Sequence, residues 1–596
     1  MTPSRRRVVA ALGSTMLAPL VAGPVFAQQA QSSADRAFER LSARWLDQSM
    51  RLAPSSATGL GDHRFDSRLD DVSARGRAAT LRFMRQTLEA LTRIDRTQLS
   101  RANQVDAALL ENSLRGAIWQ IETLQNWAWN PLVYQSIAGN SLYALMAREF
   151  APMPQRLEAA TARMERMPAL FAQVRAEIQP ARVPPPHAET YAAQNPGLKS
   201  IVSGMIEPHK DQLDSRKRAR LERAIATFNT AVDEHQTWIT GALVPAAQGN
   251  FRAGAEVFDT QLGYALQSTM PRAEIRRRAD AAVIRVREEM YRVSKQALAG
   301  RADAPPTPDN PSPEQQQAVI RAALDLAAAQ RPARDSVVED ATAGVAEAEA
   351  FLRQREIISL PDERVRVITM PEFQQGVAVA YCDSPGPLEN NLETFYAISP
   401  IPANWTEEQA TSFLREYNSF NIVDVGVHEA MPGHYVQIWH SNRYNSVLRA
   451  VLGSGTFTEG WAVYAEEMMV HEGFRQGDPL YRLSQLKMQL RSIMNAIIDQ
   501  AIHVDGIGQE ETMRLLTQTA FQEEREAAGK WRRAQLSFTQ LSTYFVGYQE
   551  HLETRAAAQQ RQGAAFNLKA YHDGVLSFGS PPARFARQLL LEEPIQ

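Results

Sequence analysis

Val427-His428-Glu429-Ala430-Met431-Pro432-Gly433-His434 is the stretch on which the reading of this 596-residue chain turns. In the H-E-x-x-H pattern of zinc peptidases, two histidines four residues apart share one helix face, and the glutamate beside the first acts on the attacking water. Here the second histidine lies six residues after the first. On an ideal helix that is roughly 600° of rotation, so the rings point about 120° apart. A regular helix cannot present both to one ion. Pro432 and Gly433 offer the way out, because proline removes a backbone N–H and clashes with the preceding turn, while glycine tolerates the dihedrals of a break. A locally widened turn is expected to swing His434 back beside His428, with Glu429 as general base.

Catalytic zinc takes three protein ligands and keeps one position open. Residues 455–468, Gly455-Thr456-Phe457-Thr458-Glu459-Gly460-Trp461-Ala462-Val463-Tyr464-Ala465-Glu466-Glu467-Met468, offer the third. Glu459 and Glu466 are seven apart and share a helix face. Either could ligate; Glu459, nearer the helix start, is taken as the ligand and Glu466 as a hydrogen-bond partner of a ligand histidine. Further on, Leu486, Leu490, Ile493, Ile497 and Ala501 form an apolar stripe, and Lys487, Arg491, Asn495, Asp499 and His503 a polar line. In so apolar a helix the polar line is expected to face a cavity, although a solvated face gives the same pattern. Asp499 and His503, four apart, could pair as a carboxylate-fixed imidazole that donates a proton or steadies the oxyanion of a tetrahedral intermediate.

Outward from this region the chain reads as helical. Residues 33–300 repeat apolar positions at three- and four-residue spacing or its multiples, as in Phe38, Leu41, Trp45 and in Leu157, Met164, Met167. Prolines cluster at 180–186 and at 304–314. The second cluster is taken as a linker between an N-terminal helical lobe, 28–303, and a catalytic helical lobe, 315–596. From Val365 the texture changes to β-branched and aromatic residues: Val365, Val367, Ile368, then Val377, Val379, Tyr381, then Thr394–Ile398. The fold expected is mainly α, a large helical body with a small antiparallel β-sheet beside the active site. Helices resume at Thr406, where Thr406 and Gln409 form a capping box ahead of Phe413, Leu414 and Tyr417.

Residues 1–27 read as an export signal: Arg5, Arg6 and Arg7, then Val8–Leu12 and Met16–Ala22, then Val25-Phe26-Ala27 with cleavage after Ala27. The paired arginines resemble a twin-arginine signal. Gly13, Ser14, Pro19 and Pro24 interrupt the apolar run, so no stable membrane insertion is expected once the signal is removed, and the mature protein is expected to be periplasmic or secreted. With 44% hydrophobic and 22% charged residues the composition is globular. Three of the 64 basic residues lie in the signal, leaving 61 against 67 acidic and a net charge of −6. That balance gives no reason to expect nucleic acid as a partner. The one cysteine, Cys382, excludes an internal disulfide and reads as a small buried hydrophobe.

Taken together, these residues resemble the bacterial domain-of-unknown-function 885 family, candidate metallopeptidases marked by H-E-x-x-P-G-H, here His428–His434. The likeness runs over roughly 35–596. Supporting marks are Leu414-Arg415-Glu416-Tyr417-Asn418, Thr458-Glu459-Gly460-Trp461, Gln540-Leu541-Ser542-Thr543-Tyr544-Phe545-Val546-Gly547 and Tyr571-His572-Asp573. That family is similar to the glutamate-zincins of helical, clam-like form. The resemblance implies one zinc ion per chain held by His428, His434 and Glu459, with Glu429 as base. It also implies Tyr544 as a hydrogen-bond donor to the transition state, residues 377–381 as an edge strand lining the substrate, and an enclosed site for short peptides.

The expected reaction is hydrolysis of peptide bonds by a metal-activated water. A metal-dependent amidase acting on a non-peptide or cell-wall amide would use the same residues. A periplasmic binding protein without catalysis is the rival of another class, and the intact Glu429 argues against it, since a binder needs no base beside a metal ligand. Serine and cysteine hydrolases are disfavoured, because no Gly-x-Ser-x-Gly elbow is present and Cys382 has no evident partner.

Overall fold

Capping chemistry sets where the helices begin. The first, Ser33–Leu52, starts at Ser32, whose hydroxyl accepts from the Asp35 amide at 2.9 Å while Asp35 accepts in return from the Ser32 amide at 3.4 Å. Its buried stripe holds Phe38, Leu41 and Trp45. Glu407–Glu416 begins the same way, with Thr406 and Gln409 in a capping box and Leu414 turned inward. A computed structural model gives the structure of residues 32–370, 379–389 and 392–596. It is mainly helical with one small sheet. Among the described residues, no helix is long and apolar enough to cross a membrane.

The sheet has strands β1 (Arg366–Thr369), β2 (Ala380–Asp383) and β3 (Phe395–Ile398) in the order β1-β3-β2. It is mixed, not antiparallel throughout as expected. β2 pairs antiparallel with β3, Ala380 opposite Ile398, whereas β1 pairs parallel with β3, Arg366 opposite Phe395. The reason is the path of the chain: β1 is followed by a crossing to the far edge, and β2 then returns into the central β3, which ends parallel to β1. Residues 377 and 378 of the expected edge strand lie outside the described residues. Tyr381 belongs to β2, an outer strand, and β3 between the two is buried along its whole length.

The largest core runs in sequence from Phe258 to Leu591 and takes in the inner face of β3. The proline-rich segment 304–314 joins helices Arg272–Ala297 and Pro313–Ala329, and both bury apolar residues in this core, Ile275, Ala279 and Met290 from one, Val319, Ile320 and Ala323 from the other. The helices on either side of the expected linker therefore share one continuous core. Separate smaller cores gather the preceding helices, one around Leu142, Phe171 and Phe228, another around Phe38, Leu41 and Leu114. The change from these cores to the large one falls between Leu243 and Phe258.

Candidate metal centre

Helix Ser419–Glu429 is capped by Asn418, whose side chain accepts from the amides of Phe420 and Asn421 at 3.0 and 3.2 Å. It stops at Glu429, and a second helix starts at His434 and runs to Ser441. Between them the Met431 amide donates to the Gly426 carbonyl at 3.1 Å and the Gly433 amide to the Val427 carbonyl at 2.9 Å. A Cβ on Gly433 would stand 1.8 Å from the His428 carbonyl oxygen, so only glycine permits this approach. The expected widened turn is thus a full break between two helices. It brings the His428 and His434 rings together with centroids 4.8 Å apart and planes nearly perpendicular.

Glu459 arrives on helix Gly455–His471, capped by Ser454. Its Oε2 lies 3.7 Å from His428 Nε2 and 3.6 Å from His434 Nε2. One donor atom from each of the three residues falls within 4.8 Å of the others. Two glycines allow the close crossing behind this geometry. A Cβ on Gly460 would meet the Gly547 backbone at 2.2 Å, and one on Gly547 the Thr456 carbonyl at 1.9 Å. Helix Gly455–His471 therefore packs backbone to backbone against Ser542–Gln562, the helix that carries Tyr544. Trp461 Nε1 donates to the Pro432 carbonyl at 2.9 Å and ties this helix to the break.

The geometry separates the two glutamates. Glu466, 1% exposed, stands 2.6 Å from His428 Nδ1 through Oε1, so the Nδ1 proton is held there and Nε2 is left to face Glu459. Burial pushes the Glu459 carboxyl up, but the His428 and His434 imidazoles beside it outweigh burial and hold the group well below the usual carboxylate range. Burial likewise opposes the charged form of His428, yet Glu459 and Glu466 raise it well above an ordinary imidazole. His434 Nδ1 is buried without a hydrogen-bond partner among the described residues.

Glu429 ends its helix facing the sheet. After burial, its charge is the next cause that pushes up both the Cys382 thiol in β2 and the Tyr396 phenol in β3. Tyr544 stacks at 6.5 Å from the His428 ring. Its hydroxyl oxygen accepts from Arg533 Nη2 at 3.1 Å, and burial followed by the Glu459 charge raises the phenol, so it stays protonated. Arg533 escaped the sequence reading. The signal that could have found it is its place, three residues after Lys530, on a helix face that also carries Ala527 and Ala534.

Asp499 and His503 do not pair. Asp499 accepts from the Thr539 amide at 3.0 Å and from the Ser542 amide and hydroxyl at 3.0 and 2.8 Å, which fixes the turn leading into the Tyr544 helix. Burial pushes its carboxyl up to about 6 against those bonds. His503 directs Nε2 to the carbonyls of Ala534 and Ser537 at 2.7 and 3.1 Å, among the rings of Phe251, Phe258 and Phe538. The cause is local: helix Pro479–Gln500 widens into a π-turn over Ala501–Asp505, which rotates His503 off the line of Asp499. Of the rest of the polar line, Asn495 Oδ1 is buried without a hydrogen-bond partner among the described residues, and the two basic residues meet neighbouring side chains. Lys487 pairs with Glu416 at 2.7 Å, and Arg491 with Glu526 at 2.5 Å and with the Tyr417 hydroxyl at 3.0 Å.

Two solved structures share this fold. A candidate lipoprotein of unknown function from Shewanella oneidensis is 31% identical, with a TM-score of 0.77 over 93% of this chain and 99% of that one. A candidate lipoprotein from Colwellia psychrerythraea, at 16% identity, has a TM-score of 0.76 over 94% and 99%, a likeness of fold alone. No curated protein matches. The model of the family described as bacterial protein of unknown function (DUF885) matches residues 54–590, and the chain belongs to that family.

Proposed function

We propose that this chain is an exported zinc metallopeptidase that hydrolyses short peptides. The observation that carries the reading is the convergence of His428, His434 and Glu459 donor atoms within 4.8 Å, with Glu429 directly after the first ligand. Two imidazole nitrogens and one carboxylate oxygen form a donor set suited to catalytic zinc, and the bond from His428 Nδ1 to Glu466 is the kind that orients a ligand imidazole. When bound, the ion supplies a Lewis acid that polarises the scissile carbonyl and acidifies water beside it.

The chain's own residues do the rest. Glu429 takes a proton from the attacking water and passes it to the leaving amine. Arg533 occupies the hydroxyl oxygen of Tyr544, so the hydroxyl proton is left to donate to the carbonyl oxygen as it gains charge. The outer strand β2, next to Glu429, is a place where an extended peptide can lie by adding to the sheet. The signal-like residues 1–27 support export, and the lipoprotein descriptions of the two structural relatives support an envelope or extracellular location, although this chain has no cysteine near residue 27 to carry a lipid.

The experiment is elemental analysis of the purified mature chain beside its His434→Ala and Glu459→Ala variants, followed by a peptide-library digest. About one zinc per chain, lost in both variants, with cleavage that disappears in Glu429→Gln, is the expected result. A folded wild-type protein that takes up no metal sinks the proposal.

A further inference from the structure

Helix Glu524–Leu536 buries Ala527, Lys530 and Ala534, and Arg533, which reaches Tyr544, lies one turn beyond Lys530. Lys530 is 4% exposed. Among the described residues, its Nζ makes no hydrogen bond and has no carboxylate within 4.0 Å. The acids that face it are Glu526 and Glu416, and both are engaged elsewhere. Glu526 holds Arg491, and Glu416 holds Lys487 with the same oxygen that accepts from the Glu523 amide at 2.9 Å. Arg533 directs its donors to two neutral groups, the Tyr544 hydroxyl and Gln540 Oε1 at 2.9 Å. Two basic side chains three residues apart are therefore left without a carboxylate, and one of them, Arg533, reaches the tyrosine whose ring faces His428. Burial, with Arg491 adding to it, drives the Lys530 ammonium well below its ordinary range, as expected for a charge lacking its counter-ion.

We propose that Lys530, with Arg533 beside it, receives a carboxylate of the substrate, so that the site selects peptides carrying a free carboxylate close to the bond it cuts. The inference rests on the peptidase reading and names its substrate class. A carboxylate spans an ammonium and a guanidinium with charge-assisted hydrogen bonds, and it removes the cost of leaving both desolvated and unmatched. A peptide has two sources of such a group, its C-terminal carboxylate and an acidic side chain.

The test is equilibrium binding to the full mature chain carrying Glu429→Gln, so that probes stay uncut, with and without zinc. The probes are N-acetyl-trialanine as the free acid, the same peptide as its C-terminal amide, and an amidated alanine tripeptide with a central glutamate. One acidic probe is expected to bind about tenfold or more tighter than the uncharged amide. The preference should vanish in Lys530→Met and persist in Lys530→Arg, with melting temperature unchanged. A free-acid winner assigns the C-terminal carboxylate, and a glutamate winner assigns the side chain. Equal binding of all three probes, or a preference that survives Lys530→Met, overturns the proposal. If Lys530→Met does not fold, the comparison of acid and amide on the protein with Lys530 intact decides alone. A preference that holds while the wild-type chain cuts no peptide counts against the peptidase reading and leaves the carboxylate subsite standing.

Discussion

His428 uses both ring nitrogens, Nδ1 toward Glu466 and Nε2 toward Glu459 and His434. Removing Glu466 should therefore weaken the proposed metal site without touching a proposed ligand. In Glu466→Ala the zinc affinity is expected to fall about 10- to 100-fold, read by competition with a chromogenic chelator; unchanged affinity would show that the bond orients nothing. Tyr544 makes a different prediction, because it stacks on the ligand ring and points its proton away from Arg533. Tyr544→Phe should keep zinc and KM while kcat drops about 10²- to 10³-fold, and an equal loss in KM would assign it to substrate binding instead. The grouping of His428, Glu429 and His434 was legible because they lie within seven residues, whereas Glu459, 25 residues on, was set apart from Glu466 only by its place near the helix start. Arg533 and Lys530 were not legible, since a cation on a helix acquires meaning only from what stands across from it.

Between the two histidines the decisive element is a break, and Gly433 is its weakest point. A methyl group there meets backbone, not a side chain that can turn aside. Gly433→Ala is expected to cost at least about 1–3 kcal/mol and to separate the two imidazoles, so a lowered melting temperature should accompany lost zinc. Gly529 is the control: it is exposed within helix Glu524–Leu536, and an added Cβ meets nothing within 4 Å. Gly529→Ala should raise stability by about 0.5–1 kcal/mol in a urea titration. A Gly433→Ala protein with wild-type stability and metal content would refute the account of the break. At this scale the sequence spoke where signals are local, as in the Thr406–Gln409 capping box. It was silent on strand direction, because a four-residue strand reads the same parallel or antiparallel. The π-turn after Gln500 also left no pattern, and it alone moved His503 away from Asp499. Nor did the proline segment 304–314 tell that the helices on either side share a core, since an apolar face does not announce its partner.

Across the described residues, burial disfavours the charged form of six histidines. Burial pushes His187 and His551 down to about 4, and His235 and His572 to about 3, with His440 and His503 lowered as well. Each takes up a proton on unfolding once the pH falls below the ordinary imidazole value of 6.5, so its contribution to stability is present above 6.5 and is lost as pH falls toward 4. Six groups act the other way, three of them around the candidate centre: His428, raised against its burial by Glu459 and Glu466, and Asp424 and Glu466, both raised by burial. Asp499 and Glu550, raised by burial to about 6 and about 7, and His63, raised to about 9 against its burial by Asp66 and Glu389, contribute stability at low pH that is lost as pH rises through those values. The six imidazoles are joined by carboxylates held below their ordinary value of 4.5, among them Glu111, Glu165, Glu274 and Glu526, which unfolding lets protonate as the pH falls, so stability is expected to drop on acidification. The measurement is the urea midpoint of metal-free protein at pH 7 and pH 5, metal-free because the ligands titrate against zinc and would mask the effect. A lower midpoint at pH 5 is expected. An equal or higher midpoint would mean that the six imidazoles are not held neutral by the fold, and that the acids raised by burial govern the balance instead.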